Sequence, residues 1–221
     1  ENINLRISNK LFFKNLSINF SNEGLSVILG PNGSGKTLLT KVINGMLKVD
    51  SGKISFKNKR IKIGYSPQKI VFLRRTVFEN LLYPMKIKRY KNKKAIERVN
   101  FLLKEFNIFD KKYVSARSLS GGLAQYVSFI RSIIIDPNIL ILDEPCSNLD
   151  NDFKKKIEKY LIKEKRSKKI ILVTHDIFQA KRLADEIIML NEGKLIESSQ
   201  KESFINSSNH LVKRFLCNNI L

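Results

Sequence analysis

The sequence predicts an α/β fold in which a mostly parallel sheet is flanked by helices, preceded by an antiparallel β subdomain and interrupted by a mostly helical insertion. Three observations carry that prediction. Ile139-Leu140-Ile141-Leu142 and Ile170-Ile171-Leu172-Val173 are unbroken apolar runs, the composition of parallel strands covered on both faces. Each ends in polar residues, Asp143-Glu144 and Thr174-His175-Asp176, at the carboxyl ends where ligands collect in open α/β sheets. Stretches with apolar residues at helical spacing separate such runs, as in Val127, Ile130, Ile133 and Ile134.

From the N-terminus, Ile3, Leu5 and Ile7 alternate, and Leu16-Ser17-Ile18-Asn19-Phe20 alternates again before Asn22-Glu23-Gly24 turns the chain. Phe12 and Phe13 fall between these two expected strands. Neighbouring Phe residues on an extended chain usually divide into one core and one surface residue; stacking on a base is the alternative. The apolar run Leu25 to Leu29 then leads into Gly30-Pro31-Asn32-Gly33-Ser34-Gly35-Lys36-Thr37, and Leu38, Leu39, Val42 and Ile43 have helical spacing. Strand, glycine loop and helix together make G-x-x-x-x-G-K-[ST] a phosphate-binding loop. Its backbone N–H groups and the helix N-terminus favour a polyanion. Lys36 is expected to reach β- and γ-phosphates, and Thr37 to offer its hydroxyl to Mg²⁺.

Lys53 to Phe56 and Ile61 to Tyr65 alternate like hairpin strands and lead to Ser66-Pro67-Gln68. From about Thr76 to Phe106 the spacing is helical, with Ile96, Val99, Leu102, Leu103 and Phe106 on one face and Pro84 expected to divide the stretch into two helices. Leu119-Ser120-Gly121-Gly122 precedes the next helix, which Asp136-Pro137 ends. Ser120 can cap that helix, and the two glycines expose its first N–H groups, either as a plain cap or as a second anion site. Beyond the Asp143-Glu144 strand come Ser147-Asn148-Leu149-Asp150, a lysine-rich helix over 152–165, a helix near 180–184, strands at 187–190 and 194–196, and a C-terminal helix over 204–215.

At 221 residues, with 43% hydrophobic and 28% charged residues, the composition is that of a globular domain, not of a disordered or membrane chain. No apolar run approaches the ~20 residues of a spanning helix, and no signal-peptide core is expected. Cys146 and Cys217 match no metal spacing, so both are expected to be free thiols. The net charge is +21, and residues 51–112 hold 18 Lys/Arg against 4 Asp/Glu. Such a stretch is a solvated face or a surface that lies near lipid headgroups.

The order of these motifs resembles the nucleotide-binding subunits of ATP-binding cassette (ABC) transporters over nearly the whole length. The resemblance implies a P-loop NTPase core of one domain, 1–221: a β subdomain with the phosphate loop over 1–69, a helical subdomain over 70–135, and the rest of the core over 136–221. It implies a Mg²⁺-dependent ATPase that closes as a head-to-tail dimer. ATP would lie between residues 30–37 of one protomer and Ser120, Gly121 and Gly122 of the other. Asp143, Thr37 and Gln68 would hold Mg²⁺, Gln68 also sensing the attacking water; Glu144 would polarise that water; His175 would act at the γ-phosphate; Asp150 would communicate across the dimer. The implied partners are a second nucleotide-binding subunit, a separate integral-membrane permease and an extracytoplasmic solute-binding protein, with the chain at the cytoplasmic face of the membrane and no nucleic acid bound.

Leu73-Arg74-Arg75-Thr76-Val77-Phe78-Glu79-Asn80 resembles the segment after Gln68 in oxyanion importers of the tungstate type. Four positions depart from the family's pattern. Leu38 stands where a second hydroxyl is usual, Leu123 and Tyr126 where Gln and Arg are common, and Cys146 where Thr is frequent. The competing readings are an exporter or lipid-extracting subunit, and a cassette ATPase working on nucleic acid, which the net charge suggests but which would bring a second cassette or a coiled-coil insertion. A phosphate-loop kinase would leave Leu119-Ser120-Gly121-Gly122 unexplained.

Overall fold

The computed structural model describes residues 1–57 and 61–220, apart from the side chains of 219 and 220. In chain order the first elements are β1 (Ile3–Ile7), β2 (Lys10–Leu16), β3 (Gly24–Leu29), α1 (Lys36–Ile43), β4 (Ile63–Ser66), α2 (Val77–Ile87), α3 (Asn92–Glu105), α4 (Gly121–Ile133) and β5 (Ile139–Asp143). They are followed by α5 (Asn151–Glu164), β6 (Lys169–Val173), α6 (Ile177–Leu183), β7 (Glu186–Asn191), β8 (Lys194–Gln200), α7 (Lys201–Ile205) and α8 (His210–Ile220). They form two compact units, residues 1–61 with 161–221, and residues 62–160.

In the first unit β3 is the central parallel strand, between β6 (Ile28 opposite Val173) and β7 (Ile28 opposite Ile188). Five of its six residues are buried, as a strand covered on both faces requires. β8 returns antiparallel to β7 through Glu192 and Gly193, both at positive φ, the mirror-image turn that suits strand twist. β1 and β2 form a separate antiparallel hairpin closed at Ser8 and Asn9, φ 49° and 64°. That turn sets the register, so the second strand runs from Lys10 to Leu16 and not over 16–20 as the alternation there suggested. Phe12 and Phe13 consequently lie inside β2, Phe13 fully buried and Phe12 partly exposed.

Two further expectations are corrected in this unit. Lys53 to Phe56 forms no strand: Ile54 and Phe56 alternate but both stay exposed, so no apolar face holds the segment extended. Residues 58–60, which would join the expected hairpin, lie outside the described residues. The single C-terminal helix is two, α7 and α8, because Ser207 and Asn209 turn their side chains onto the backbone N–H groups of Asn209 and Leu211 and so compete with helix continuation.

At the amino ends of β6 and β7, Lys169 and Glu186 form a buried ion pair at 2.8 Å. Lys169 also donates to Ser21 Oγ at 2.7 Å, and Glu186 accepts from the buried Ser26 hydroxyl. Burial alone would push the Glu186 carboxyl up, yet the hydrogen bonds from Lys169 and Ser26 hold it below its ordinary value.

The second unit pairs β4 with β5 in parallel, Ser66 opposite Leu142. The expected antiparallel partner of β4 is thus replaced by the buried β5. Thr76 and Glu79 cap α2 reciprocally, Glu79 N–H donating to Thr76 Oγ1 at 3.2 Å and Thr76 N–H to Glu79 Oε2 at 3.0 Å. Pro84 lies inside α2 and does not divide it. The break comes at Arg89, φ 57°, where Tyr90 N–H bonds Met85 O and Arg89 N–H bonds Lys86 O, a Schellman end with Arg in the glycine position. Because the helix ends within a turn of Pro84, the missing N–H costs one bond near a terminus. On α3 the buried face is Ala95, Val99, Leu102 and Leu103, followed by Phe106; Ile96 is exposed.

Truncating one member of the buried pair isolates the other charge, so Glu186→Ala is expected to cost about 3–5 kcal/mol, against a small change for Lys169→Met with Glu186→Leu; denaturant unfolding checks this. Since the Glu186 pKa is lowered on folding, its contribution is complete above the ordinary carboxyl range and disappears as pH falls through the folded value. The wild type should therefore lose stability on acidification more steeply than the double variant.

Candidate functional site

In the first unit the phosphate loop leaves the carboxyl end of β3. Gly30 has φ 145°, and a Cβ there would run into Leu190 O; Gly35 has φ 101°, and its Cβ would stand 2.7 Å from the Phe13 ring. Both positions therefore need glycine. The loop closes on itself through Ser34 N–H to Pro31 O at 3.2 Å and is tied to the β7–β8 turn by Gly193 N–H to Ser34 O at 3.0 Å. The buried Lys36 ammonium donates to Gly30 O at 2.8 Å and Pro31 O at 2.9 Å. Among the described residues the buried Ser34 hydroxyl has no hydrogen-bond partner, an uncommon condition for a buried polar atom and one that a bound acceptor would relieve. Pro31, Asn32 and Gly33 are exposed at the loop's mouth, and Thr37 is half-buried on the first turn of α1.

His175 belongs to the same end of the same sheet. Gly30 lies two residues beyond Ile28 and His175 two beyond Val173, and Ile28 pairs with Val173. The strands thus bring the loop and an exposed imidazole to one level. Asp176 caps α6, accepting from Gln179 N–H at 2.8 Å.

In the second unit β5 ends in Asp143, buried, and Glu144, nearly so. Glu144 has φ 52°, a left-handed conformation uncommon for a residue with a side chain. Its carbonyl is held from α4: Gln125 Nε2 donates to Glu144 O, and the Ser147 hydroxyl reaches the same oxygen at 3.3 Å. Gln125 Nε2 also lies 3.2 Å from Ser147 Oγ. Gln125 was not foreseen; the signal available was a polar stripe, Gln125, Ser128 and Ser132, at helical spacing and all buried on α4. Gln68 is exposed two residues past Ser66, level with Glu144 two past Leu142, since Ser66 pairs with Leu142.

Ser120 caps α4, accepting from Leu123 N–H at 3.4 Å, and Ser120 and Gly121 are exposed, Gly122 partly so. A Cβ on Gly122 would meet Asn148 O at 2.6 Å. Asp150 caps α5 through Phe153 N–H at 2.9 Å. Tyr126, in place of the usual Arg, is fully buried: it stacks on Phe153 at 4.2 Å, meets Phe106 edge-on at 5.7 Å, and donates to Phe106 O at 3.2 Å. Burial, then Asp150 and Glu105, push its phenol well above the ordinary value, so it stays a neutral donor. Leu123 is partly exposed on the first turn of α4.

A backbone loop that favours polyanions, a strand-end pair of carboxylates and a free helix end are the parts of a nucleoside triphosphatase. Residues 13–147 match the profile of the family described as ABC transporter. The chain belongs to that family, whose ATP-binding proteins are ATPases. This ABC ATPase is 33% identical over 189 residues to the tungstate uptake system ATP-binding protein TupC of Peptoclostridium acidaminophilum, covering 82% of this chain and 88% of that one. It is 36% identical over 218 residues to the molybdate/tungstate import ATP-binding protein WtpC of Methanocaldococcus jannaschii, covering 94% of this chain and 72% of the relative. Among solved structures, a dimeric ATP-binding cassette in a post-hydrolysis state bound to ADP and Pi superposes with a TM-score of 0.82 at 26% identity, covering 91% of this chain and 97% of the other. No described helix of this ABC ATPase is long and apolar enough to cross a membrane.

Removing the amide that holds Glu144 should unfasten its backbone. Gln125→Ala is expected to cost about 1–3 kcal/mol in stability and to slow ATP hydrolysis while ATP affinity stays near wild type. Parallel measurement of kcat and nucleotide Kd checks this; an equal loss in both would remove Gln125 from this role.

Proposed function

We propose that this ABC ATPase is the ATP-hydrolysing subunit of an oxyanion importer, residues 1–221 acting as one ATPase domain that drives a separate membrane permease by ATP-dependent, head-to-tail dimerisation. The observation that carries the reading is the match, over most of both chains, to subunits named for tungstate and molybdate import. The exposed, capped α4 N-terminus supports the dimer: a helix end that faces solvent can receive a phosphate brought by a second copy.

In this reading residues 30–37 cradle the ATP phosphates with their backbone N–H groups, Pro31 having none to give, and Lys36 turns from the loop carbonyls to the β- and γ-phosphates. Ser34 finds its acceptor there. Ser120, Gly121 and Gly122 of the second copy receive the γ-phosphate. Glu144 accepts a proton from the attacking water, Gln68 orients that water, and His175 steadies the γ-phosphate as charge develops. Thr37, Asp143 and Gln68 are the side chains that would hold Mg²⁺, an ion that binds through few protein ligands and substrate phosphates. The ion would neutralise charge on the transferring phosphoryl group. A solute-binding protein outside the membrane completes the assembly, and the chain sits peripherally on the cytoplasmic face.

Glu144→Gln is expected to lower kcat about 10²–10⁴-fold and to accumulate an ATP-bound dimer on size-exclusion chromatography, whereas Lys36→Ala should lose ATP binding. A Glu144→Gln protein that hydrolyses ATP at the wild-type rate, or stays monomeric with saturating ATP, would contradict the reading. Co-purification with a permease that also captures an extracytoplasmic tungstate-binding protein would exclude an exporter.

A further inference from the structure

The ATPase reading leaves one feature of the second unit unused, the turn between α2 and α3. Between Asn80 and Ile96 there is no Asp or Glu, and residues 86–94 contain Lys86, Lys88, Arg89, Lys91, Lys93 and Lys94. All six are exposed. None forms an ion pair among the described residues. Arg89 sits at the left-handed residue of the Schellman end, φ 57°, so the turn carries a cation at the position where glycine is least strained. Apolar side chains accompany the charges: Ile87 is 59% exposed within the run, and Ile96 and Phe101 are exposed along α3.

We propose that this turn is a docking patch for the anionic headgroups of a phospholipid bilayer. The proposal rests on the importer reading, which brings the subunit to a membrane surface. Unpaired, closely spaced cations give the electrostatic attraction, and an exposed Ile beside Lys and Arg stems gives an apolar contact at the headgroup boundary. A surface built for single-stranded nucleic acid interleaves its cations with free aromatic platforms. The one aromatic residue of the run is committed elsewhere: the Tyr90 hydroxyl donates to Ile135 O at 3.3 Å and accepts from Lys62 Nζ at 3.3 Å.

The test is co-sedimentation of the full chain with vesicles of phosphatidylcholine alone or mixed with phosphatidylglycerol, with and without a competing single-stranded RNA. Wild type should bind only the anionic vesicles, less at high salt. The variant Lys86→Gln, Lys88→Gln, Arg89→Gly, Lys91→Gln should lose about a hundredfold or more in partitioning, at about fivefold per basic residue, with ATP hydrolysis and circular dichroism unchanged. A variant with the same charge removed from exposed positions outside the turn (Lys155, Lys159, Lys163 and Arg166, each to Gln) should keep its binding. The patch is overturned if wild type ignores anionic vesicles, if both variants lose binding alike, or if RNA strips the protein from vesicles through these same residues. Absent vesicle binding with intact ATP-driven dimerisation would sink the patch alone; intact vesicle binding without that dimerisation would sink the importer mechanism instead.

Discussion

A polyanion can be held by backbone alone only where the chain comes too close for side chains and presents its N–H groups together, and the first unit is arranged around that requirement. Gly30 lies against the Leu190 carbonyl and Gly35 against the Phe13 ring. The Lys36 ammonium folds back onto two loop carbonyls. β3, flanked by β6 and β7, holds the loop's entry, the β7–β8 turn anchors it through Gly193, and the hairpin supplies Phe13 as its floor. The core of this unit thus serves to keep a short, glycine-rich segment in one backbone shape.

The second unit answers a different demand, the aiming of a carboxylate. The Glu144 backbone is left-handed and held by Gln125 and Ser147. Gln125 projects from α4, whose amino end carries Ser120 to Gly122. One helix therefore bears both the exposed end proposed to receive a phosphate and the amide that fastens Glu144. Behind them Phe106, Tyr126, Phe129, Phe153 and Tyr160 form a continuous aromatic cluster. Tyr126 takes the place of a usual Arg by joining this cluster, so the departure is absorbed by packing.

Signals written in adjacent residues were the legible ones. The glycine loop between strand β3 and helix α1, the apolar strands ending at Asp143 and Val173, and the cap at Ser120 all appear as read, because local spacing dictates each of them. What depended on distant partners was harder to read. The register of β2 is set by a two-residue turn at Ser8 and Asn9, not by the alternation over 16–20. Lys53 to Phe56 has strand-like alternation but buries nothing, while Pro84 is tolerated close to the end of α2. Gln125 showed only as part of a polar stripe with Ser128 and Ser132 on α4, and its partner, a backbone carbonyl 19 residues away, could not be read from local spacing.

The central claim is that each hydrolytic site is completed by a second copy of the chain. It is tested most directly by mixing two inactive proteins, Lys36→Ala and Ser120→Phe, and measuring ATP hydrolysis. In a mixed dimer the intact phosphate loop of the Ser120 variant faces the intact α4 end of the Lys36 variant, so hydrolysis should reappear on mixing although neither protein turns over alone. If the mixture stays as inactive as its components while both variants remain folded and associate, each site is contained within one chain and the account is wrong.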